Sequence, residues 1–224
     1  MSLPAHPPAS RPPLDPQKRT LAIVSATTAA LALGAILLLP SGSEDHAIHT
    51  FSTQNRPVLG DPGVGGEIVV FSDYKCPNCR DFERVHLPII ERELVNTGQA
   101  HVVFLQSPFL GTDSMTASIA AECAYRQSNA LFLKYNAALY ARQGDERTAW
   151  ATPRLLRDVA RDVGLNLGEF DGCVKTLPAA AAVQGDLDQH QAAGMVGTPT
   201  VFVNGKRTPA GVREIRAALA AGKS

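Results

Sequence analysis

Hydrophobic and polar residues divide the chain into one long apolar segment and a region of shorter elements. Residues 21–39 contain no charged side chain, whereas residues 1–20 are rich in proline and carry Arg11, Lys18 and Arg19. A helix over 21–39 would span roughly 28 Å, close to the ~30 Å hydrocarbon core of a bilayer. The pattern therefore predicts a single transmembrane helix after a short N-terminal tail.

The charges on the two sides of this apolar segment predict its orientation. Positive charges precede it, and Glu44 and Asp45 follow it. The positive-inside rule therefore leaves the tail in the cytoplasm and places the rest of the chain outside. A secretory signal cleaved near Ser43 is the alternative, because small residues surround that position. We favour an uncleaved anchor, since the apolar run is longer than the usual core of a signal peptide.

After a predicted linker over residues 40–57, the hydrophobic periods indicate alternating strands and helices. Residues 67–72 form a nearly continuous β-branched run, as in a strand covered on both faces. Residues 80–97 have helical spacing, with a kink expected at Pro88. Residues 101–105 form a second strand. The succession of strand, helix and strand predicts a βαβ unit with parallel pairing.

The remainder of the predicted domain, which spans residues 58–224, contains a helical insertion over about residues 112–178. Ser114 is expected to cap its first helix, and Thr152-Pro153 is expected to start another. Later elements are a helix, a hairpin turning at Asn204-Gly205, and a last helix, at residues 179–193, 200–208 and 211–221. The fold class is therefore α/β, a mixed sheet with a helical insertion, preceded by one transmembrane helix.

Composition changes this picture mainly by excluding functions. The chain has 21 basic and 21 acidic residues and a formal net charge of zero, which argues against a nucleic-acid partner. The six histidines are scattered, and the two isolated cysteines have no neighbouring Cys or His. A structural zinc site needs such paired ligands, so it is disfavoured. No metal or other cofactor is expected.

The motif Cys76-Pro77-Asn78-Cys79 stands between the first predicted strand and the first predicted helix. Unpaired N–H groups and the dipole at a helix start stabilise negative charge, and such a setting lowers the pKa of a cysteine to about 3.5–7.5. Pro77 fits the first helical position without losing a hydrogen bond. We therefore expect Cys76 to be the exposed attacking thiol and Cys79 to resolve the mixed disulfide.

Pro199, preceded by Thr198, opens the third predicted strand. A strand interior rejects proline, and an X–Pro bond at such a corner is a candidate cis peptide. A cis-proline loop beside the dithiol would leave backbone groups free to pair with an extended substrate. A trans proline at a strand start is the alternative, and the general preference of X–Pro bonds favours it.

Two motifs together resemble the DsbA-like branch of the thioredoxin superfamily. One runs from Val69 to Cys79 and the other from Gly197 to Gly205, with the helical block between them. The resemblance covers roughly residues 58–221. It implies a thioredoxin-like fold and an oxidase that passes its disulfide to the cysteine thiols of exported proteins.

The same resemblance implies roles for particular residues and partners. Pro199 is expected to be cis, and Thr198 is expected to line the substrate groove. A membrane quinone-linked partner, of the DsbB type or a vitamin K epoxide reductase homologue, is expected to reoxidise the dithiol. We expect a monomer, because no long N-terminal domain of the kind used by dimeric isomerases is present.

The chain departs from the family pattern below the dithiol. Many members have a proton-relaying glutamate six residues before the first active cysteine, and that position is Val70 here. Proton transfer at Cys79 must therefore use water or another group. Threonine at position 198 occurs in isomerase and in some oxidase branches, so a reductase or isomerase, including one for cytochrome c maturation, stays an alternative. A metal-binding thioredoxin-like module is another.

The remaining cysteines, Cys123 and Cys173, lie on two predicted helices of the insertion. Some DsbA-like proteins have a disulfide between these places, and an oxidising compartment permits one. The resemblance therefore implies a structural bridge. It would close a loop of about fifty residues and add roughly 4 kcal/mol of stability in the chain-entropy model. Two free thiols are the alternative.

Overall fold

The structure of the protein, a computed structural model, describes residues 47–222. The predicted tail at residues 1–20 and the predicted transmembrane or signal segment at 21–39 lie outside the described residues. Within residues 47–222, no helix is long and apolar enough to cross a membrane. The structure therefore bears on the domain that follows the apolar segment.

A five-stranded mixed sheet forms the centre of this domain, in the order β1-β3-β2-β4-β5. The strands are β1 Val58–Leu59, β2 Gly66–Ser72, β3 Ala100–Gln106, β4 Thr200–Val203 and β5 Lys206–Thr208. β2 pairs in parallel with β3 and antiparallel with β4. β1 and β5 are antiparallel edge strands. The predicted parallel βαβ unit and the predicted hairpin are both confirmed.

The central strands bury side chains on both faces of the sheet. Alternate residues of β2 point to opposite sides, so Ile68 and Val70 join one apolar cluster while Val69 and Phe71 join the other. All four are at most 1% exposed. This is why the strand has a nearly continuous apolar run rather than an alternating one.

One long helical stretch follows β2 and carries the dithiol at its start. α1, residues 77–95, consists of α-helical Pro77–Asp81 and Leu87–Ile90, alternating with π-helical Phe82–His86 and Glu91–Val95. The Leu87 N–H donates to the Phe82 carbonyl, five residues back. Pro88 has no N–H to donate, so the irregular hydrogen bonding falls where the sequence predicts a kink.

The other helices are α2 Thr112–Gln127, α3 Asn129–Ala141, α4 Pro153–Asp162, α5 Leu167–Cys173, α6 Leu177–Ala192 and α7 Val212–Ala221. The expected cap at Thr152 is confirmed, because its side chain accepts the Leu155 N–H. The expected cap at Ser114 is wrong. Gly111 holds that position, and the buried Ser114 hydroxyl bonds Asp73 instead.

Residues 47–57, part of the predicted linker, pack against the domain rather than extending from it. The ring of Phe51 lies 5.0 Å from that of Phe71 and 4.7 Å from that of Phe202. Ile48 forms a β-bridge with Lys206. Arg56 pairs with Asp186 of α6 at 2.6 Å. The segment thus covers the face of the sheet to which Val69 and Phe71 point. It leads into β1, a short strand that the sequence does not predict.

A disulfide joins Cys123 of α2 to Cys173 at the end of α5, at a sequence separation of 50. It is the bridge that the family resemblance implies. The bond ties two helices of the insertion together on the side of the domain that carries α4 and α5. Cys76 and Cys79 are the two free cysteines among the described residues.

Candidate active site

The dithiol lies at the junction where β2 ends and α1 begins. Cys76 is the N-cap residue and has an extended backbone, with φ −73° and ψ 119°. Pro77 occupies the first turn of the helix, as its fixed φ and missing N–H favour. The carbonyl of Cys76 accepts the N–H groups of Cys79 and Arg80 at 3.1 and 3.2 Å. The first thiol therefore stands beside the unpaired N–H groups of the helix start.

The pKa of Cys76 is lowered from 9.0 to about 6. The largest cause is a hydrogen bond from the Cys79 side chain, which outweighs the opposing effect of burial. The Thr198 side chain and the backbone N–H groups of Cys79 and Asn78 lower it further. At neutral pH Cys76 is therefore mostly a thiolate, the reactive form of cysteine. Its side chain is less accessible than the sequence predicts, since the residue is only 6% exposed.

The pKa of Cys79 is shifted in the opposite direction, upward. Cys79 is 1% exposed, and burial raises its pKa well above the ordinary value. The hydrogen bond to Cys76 and the charge on Cys76 raise it further, while Thr198 and the backbone of Asp73 lower it in part. Cys79 therefore holds its proton at neutral pH. The arrangement suits attack by Cys76 and resolution by Cys79.

The loop before β4 lies directly against the first thiol. The Thr198–Pro199 peptide bond is cis. In the protonated form the Cys76 sulfur donates to the Thr198 carbonyl at 3.1 Å. The Thr198 hydroxyl has no other partner among the described residues, so it is available to a thiolate at Cys76. Cys76, Cys79, Thr198 and Pro199 are thus brought together, as the two sequence motifs predict.

Asp73, three residues before the first thiol, is fully buried and joins three segments. Its carboxylate accepts the N–H of Lys75 at 2.8 Å and the N–H groups of Phe109 and Leu110 at 3.0 Å each. It also accepts the hydroxyl of Ser114. A buried carboxylate with four donors is well satisfied. Asp73 therefore fixes the turn before the dithiol to the loop and helix that follow β3.

Lys75, next to Cys76, makes a buried ion pair with Asp113 of α2 at 2.8 Å. Burial alone would raise the pKa of Asp113, but the hydrogen bond and charge of Lys75, with the Ala151 N–H, lower it. Gly111 is required here. Its φ is +155°, and a Cβ would lie 3.0 Å from the Lys75 ammonium nitrogen.

Sequence reasoning assigned no role to two polar residues that support this site. Gln143, just after α3, donates to the carbonyls of Tyr74 and Cys76 at 2.7 and 2.9 Å. His190 of α6 is 2% exposed, and its ring nitrogen lies 3.1 Å from the Gly197 carbonyl. Gln143 thus acts on residues more than 60 positions before it, whereas His190 acts on the loop that follows its own helix, seven residues further on. A pattern in the sequence does not reveal these contacts.

The surface around the dithiol has an apolar side and a charged side. Val196, two residues before Thr198, is 89% exposed, and it lines a small surface pocket together with Phe109, which is 41% exposed. On the other side, Pro77 lines a cleft with charged residues, namely Arg80, Asp145, Glu146 and Arg147. Among residues 47–222 no group of three or more His, Cys, Asp or Glu could hold a metal ion.

The thioredoxin family model matches residues 52–221 of this chain. Disulfide bond formation protein D of Bacillus subtilis is 30% identical over 156 residues, which are 69% of this chain and 70% of that protein. The probable disulfide bond formation protein D of Bacillus anthracis is 26% identical over 188 residues, or 83% of this chain and 87% of that protein.

Solved structures agree with these relatives. The crystal structure of oxidised BdbD from Bacillus subtilis has a TM-score of 0.73 and 28% identity, over 80% of this chain and 98% of that chain. DsbA of Chlamydia trachomatis shares the fold, with a TM-score of 0.68 at 21% identity, over 79% of this chain and 97% of that chain. The predicted thioredoxin-like sheet with a helical insertion is confirmed. The chain belongs to the thioredoxin family and is a thiol–disulfide oxidoreductase of its DsbA-like branch.

Proposed function

We propose that this protein oxidises pairs of cysteine thiols in exported proteins, through a mixed disulfide at Cys76. The observation that carries the proposal is the pKa of about 6 at Cys76, beside the cis-proline loop. A thiol with a low pKa is a good leaving group, so its disulfides are readily passed on. Relatives named for disulfide bond formation support the oxidising direction.

The reaction is a pair of exchanges that moves two electrons from the substrate to the dithiol. A substrate thiolate attacks the sulfur of Cys76 in the Cys76–Cys79 disulfide, and Cys79 leaves with the electron pair and takes up a proton. A second substrate thiolate then attacks the substrate sulfur of the mixed disulfide. Cys76 leaves as a thiolate, and the substrate keeps a new disulfide.

The cis-proline loop is proposed to hold the substrate during these steps. Thr198 and Pro199 lie next to the Cys76 sulfur. The Thr198 carbonyl accepts the free Cys76 thiol, and it loses this donor once Cys76 is in a disulfide, so it can then accept a donor from the substrate. Pro77 begins the helix, and Asn78 contributes a backbone N–H toward the Cys76 thiolate. The Cys123–Cys173 bridge is proposed to be structural, because it joins two helices of the insertion.

The proposal extends to the location and partners of the domain. Homologues of the DsbA type work outside the cytoplasm. The length of the apolar run at residues 21–39 favours a single-pass anchor, and the charges on its two sides favour an orientation with this domain on the outside. A membrane quinone-linked enzyme, of the DsbB type or a vitamin K epoxide reductase homologue, would reoxidise the dithiol. In intact cells, a thiol reagent that cannot cross the membrane should label Cys76, and the full-length chain should fractionate with membranes as a monomer.

The test of the reaction uses the full-length oxidised protein and a reduced, unfolded protein that contains cysteine pairs. The wild-type protein should introduce disulfides at once, and Cys76→Ala should introduce none. Cys79→Ala cannot form the Cys76–Cys79 disulfide, so it should also introduce none. When a small-molecule disulfide is added, the Cys76 thiolate of this variant should attack that disulfide and stay in a stable mixed disulfide, because the resolving thiol is gone. Full activity in Cys76→Ala would exclude the proposed mechanism.

The reduction potential separates this function from its alternatives. A value near that of a strong oxidase, about −120 mV, agrees with the proposal, whereas a value near −270 mV would indicate a reductase. A metal-binding module would instead contain one metal ion per chain, bound by Cys76 and Cys79. Elemental analysis with a thiol titration distinguishes that case.

A further inference from the structure

We propose that Glu83 serves as the proton acceptor and donor for Cys79, in place of the family glutamate whose position Val70 occupies. The inference rests on the proposed function, because only a dithiol that exchanges disulfides must move a proton at Cys79. Val70 is 1% exposed and has no polar side-chain atom, and Cys79 is also 1% exposed. Another group must therefore carry the proton between Cys79 and solvent.

Glu83 is placed to do so by the first turns of α1. It follows Cys79 by four residues, so the two side chains lie on the same side of the helix. Glu83 is only partly buried, whereas Cys79 is enclosed. No Lys or Arg among residues 47–222 makes an ion pair with Glu83. A carboxyl without a fixed cation is free to change its protonation state.

A buried polar cluster fills the space where α1 packs on α3. It is formed by Tyr74, Asn136 and Tyr140, which are 1%, 3% and 2% exposed. The Tyr74 hydroxyl donates to the Asn136 side-chain oxygen at 2.7 Å, and the Asn136 side chain is close enough to Glu83 to lower the pKa of that carboxyl group. The rings of Tyr74 and Tyr140 lie 4.8 Å apart. Such a set of polar groups in an apolar core is costly unless it is fully connected.

The other end of the cluster reaches Cys79 through the backbone of Asp73. The Asp73 backbone lowers the pKa of Cys79, and the Asp73 carbonyl accepts the Tyr140 hydroxyl at 3.4 Å. Burial raises the pKa of Tyr140, and charges on Cys79 and Glu83 each raise it further. The Tyr140 hydroxyl is therefore close to both ends of the proposed path.

The protonation of Glu83 suits exchange at neutral pH. Burial raises the pKa of Glu83 to about 7, Asn136 opposes the increase, and the charge on Glu91 adds to it. The titratable groups that face Glu83 are Glu91 on its own helix and the tyrosines Tyr74 and Tyr140, which burial keeps neutral. A general acid or base works best when its pKa is near the working pH.

The proton moves in opposite directions in the two halves of the cycle. When a substrate attacks Cys76, Cys79 leaves as a thiolate and Glu83 returns a proton to it. When the reoxidising partner forms a mixed disulfide at Cys76, the Cys79 S–H bond breaks and its proton goes to the Glu83 carboxylate. The Cys79 thiolate then attacks the Cys76 sulfur, and the partner sulfur leaves with the electron pair. In that mixed disulfide the Cys76 charge that raises the pKa of Cys79 is gone.

The experiment follows the reduced full-length protein as it reacts with an aromatic disulfide reagent whose thiolate product is coloured. One thiolate is released when Cys76 attacks the reagent, and a second when Cys79 resolves the mixed disulfide. Glu83→Gln should leave the first phase unchanged and slow the second by at least about tenfold at pH 7. The rise of the second rate through a transition near pH 7 should disappear in Glu83→Gln.

Two further variants separate a proton path from a structural role. Glu93→Gln changes a carboxylate further along the same helix, which pairs with Arg92 and Arg216, and should leave both phases unaltered. Glu83→Asp keeps a carboxyl group and should restore the pH transition at a lower rate. An unchanged second phase in Glu83→Gln, or a slowed one whose pH transition Glu83→Asp does not restore, would overturn the inference. If the wild-type protein lacked the first phase, the proposed function itself would fail.

Discussion

Two cysteines three positions apart have opposite protonation because they differ in what surrounds them. Cys76 receives hydrogen bonds from Cys79, Thr198 and the helix start, which together outweigh the cost of burying a charge. Cys79 lies deeper and has mainly apolar neighbours, so burial dominates. The low pKa of the first thiol is therefore maintained in part by the proton on the second.

This dependence predicts how alkylation of Cys76 responds to a change at Cys79. In the reduced wild-type protein the rate should be half-maximal near pH 6, since the thiolate is the reacting form. Cys79→Ala removes the largest cause that lowers the pKa, so the midpoint should rise by at least about one pH unit. At pH 6 that corresponds to alkylation about fivefold slower. Mass spectrometry over a pH series measures the rate.

Asn78→Ala is the matched control for this prediction. Asn78 acts on the Cys76 thiolate through its backbone N–H, which alanine retains. Its midpoint should therefore stay close to that of the wild-type protein. A wild-type midpoint near pH 9, or an equal midpoint in Cys79→Ala, would contradict this account of the thiolate.

At the scale of elements, buried charged side chains hold the turn between β2 and α1 in place. Asp73 binds the loop after β3 and the start of α2, and Lys75 pairs with Asp113. Side chains of Lys75 and Asp113 are only 6% and 10% exposed. Removing one member of such a pair leaves an uncompensated buried charge.

Lys75→Met should therefore lower the free energy of unfolding by about 3 kcal/mol, because Asp113 loses its cation. The double variant Lys75→Met/Asp113→Asn should recover much of this loss, since asparagine is neutral and can still accept the Ala151 N–H. Denaturant unfolding of the reduced protein measures both values. Arg147→Met breaks an exposed ion pair with Asp145 and should have no measurable effect. Equal losses in the single and double variants would exclude a buried-charge penalty.

The elements that the sequence predicts correctly are those with local causes. Thr152-Pro153 starts a helix because a hydroxyl and a fixed φ act within one turn, and Asn204-Gly205 turns a hairpin because positive φ is needed there. Ser114 fails as a cap because a distant carboxylate, Asp73, binds its hydroxyl. The π-helical turns of α1 and the short edge strand β1 likewise depend on packing.

The residues of the candidate site also fall into two groups, those that a local motif reveals and those that only the folded structure reveals. Cys76, Cys79, Thr198 and Pro199 could be found from two short motifs with recognisable chemistry. Supporting residues such as Gln143, His190 and Glu83 belong to no motif. Gln143 acts on residues more than 60 positions away, and Glu83 acts in a cluster with residues of α3, so only the folded chain brings them into place. Val70 was the signal that a different proton carrier was needed, but it did not indicate which residue supplies it.

At the scale of the whole molecule, the segment before β1 is attached to the domain by a buried ion pair. Arg56 donates to Asp186 of α6 at 2.6 Å, and the Gln106 N–H donates to the same carboxylate at 3.1 Å. Asp186 is 3% exposed. Burial nevertheless raises its pKa from 3.8 to about 6, against the opposing effects of Arg56 and Gln106. The cost of desolvating this carboxylate thus exceeds the attraction of its cation.

The pH dependence of stability tests this balance. Because the pKa of Asp186 is higher in the folded than in the unfolded chain, its favourable contribution is complete below pH 4 and is lost as the pH rises through 6. The unfolding free energy of the wild-type protein minus that of Asp186→Asn should therefore fall by on the order of 2 kcal/mol between pH 4 and pH 7. Asp188→Asn, at an exposed position of the same helix, controls for the loss of one charge. A difference that instead grows with pH would mean that the ion pair stabilises the attached segment more than burial opposes it.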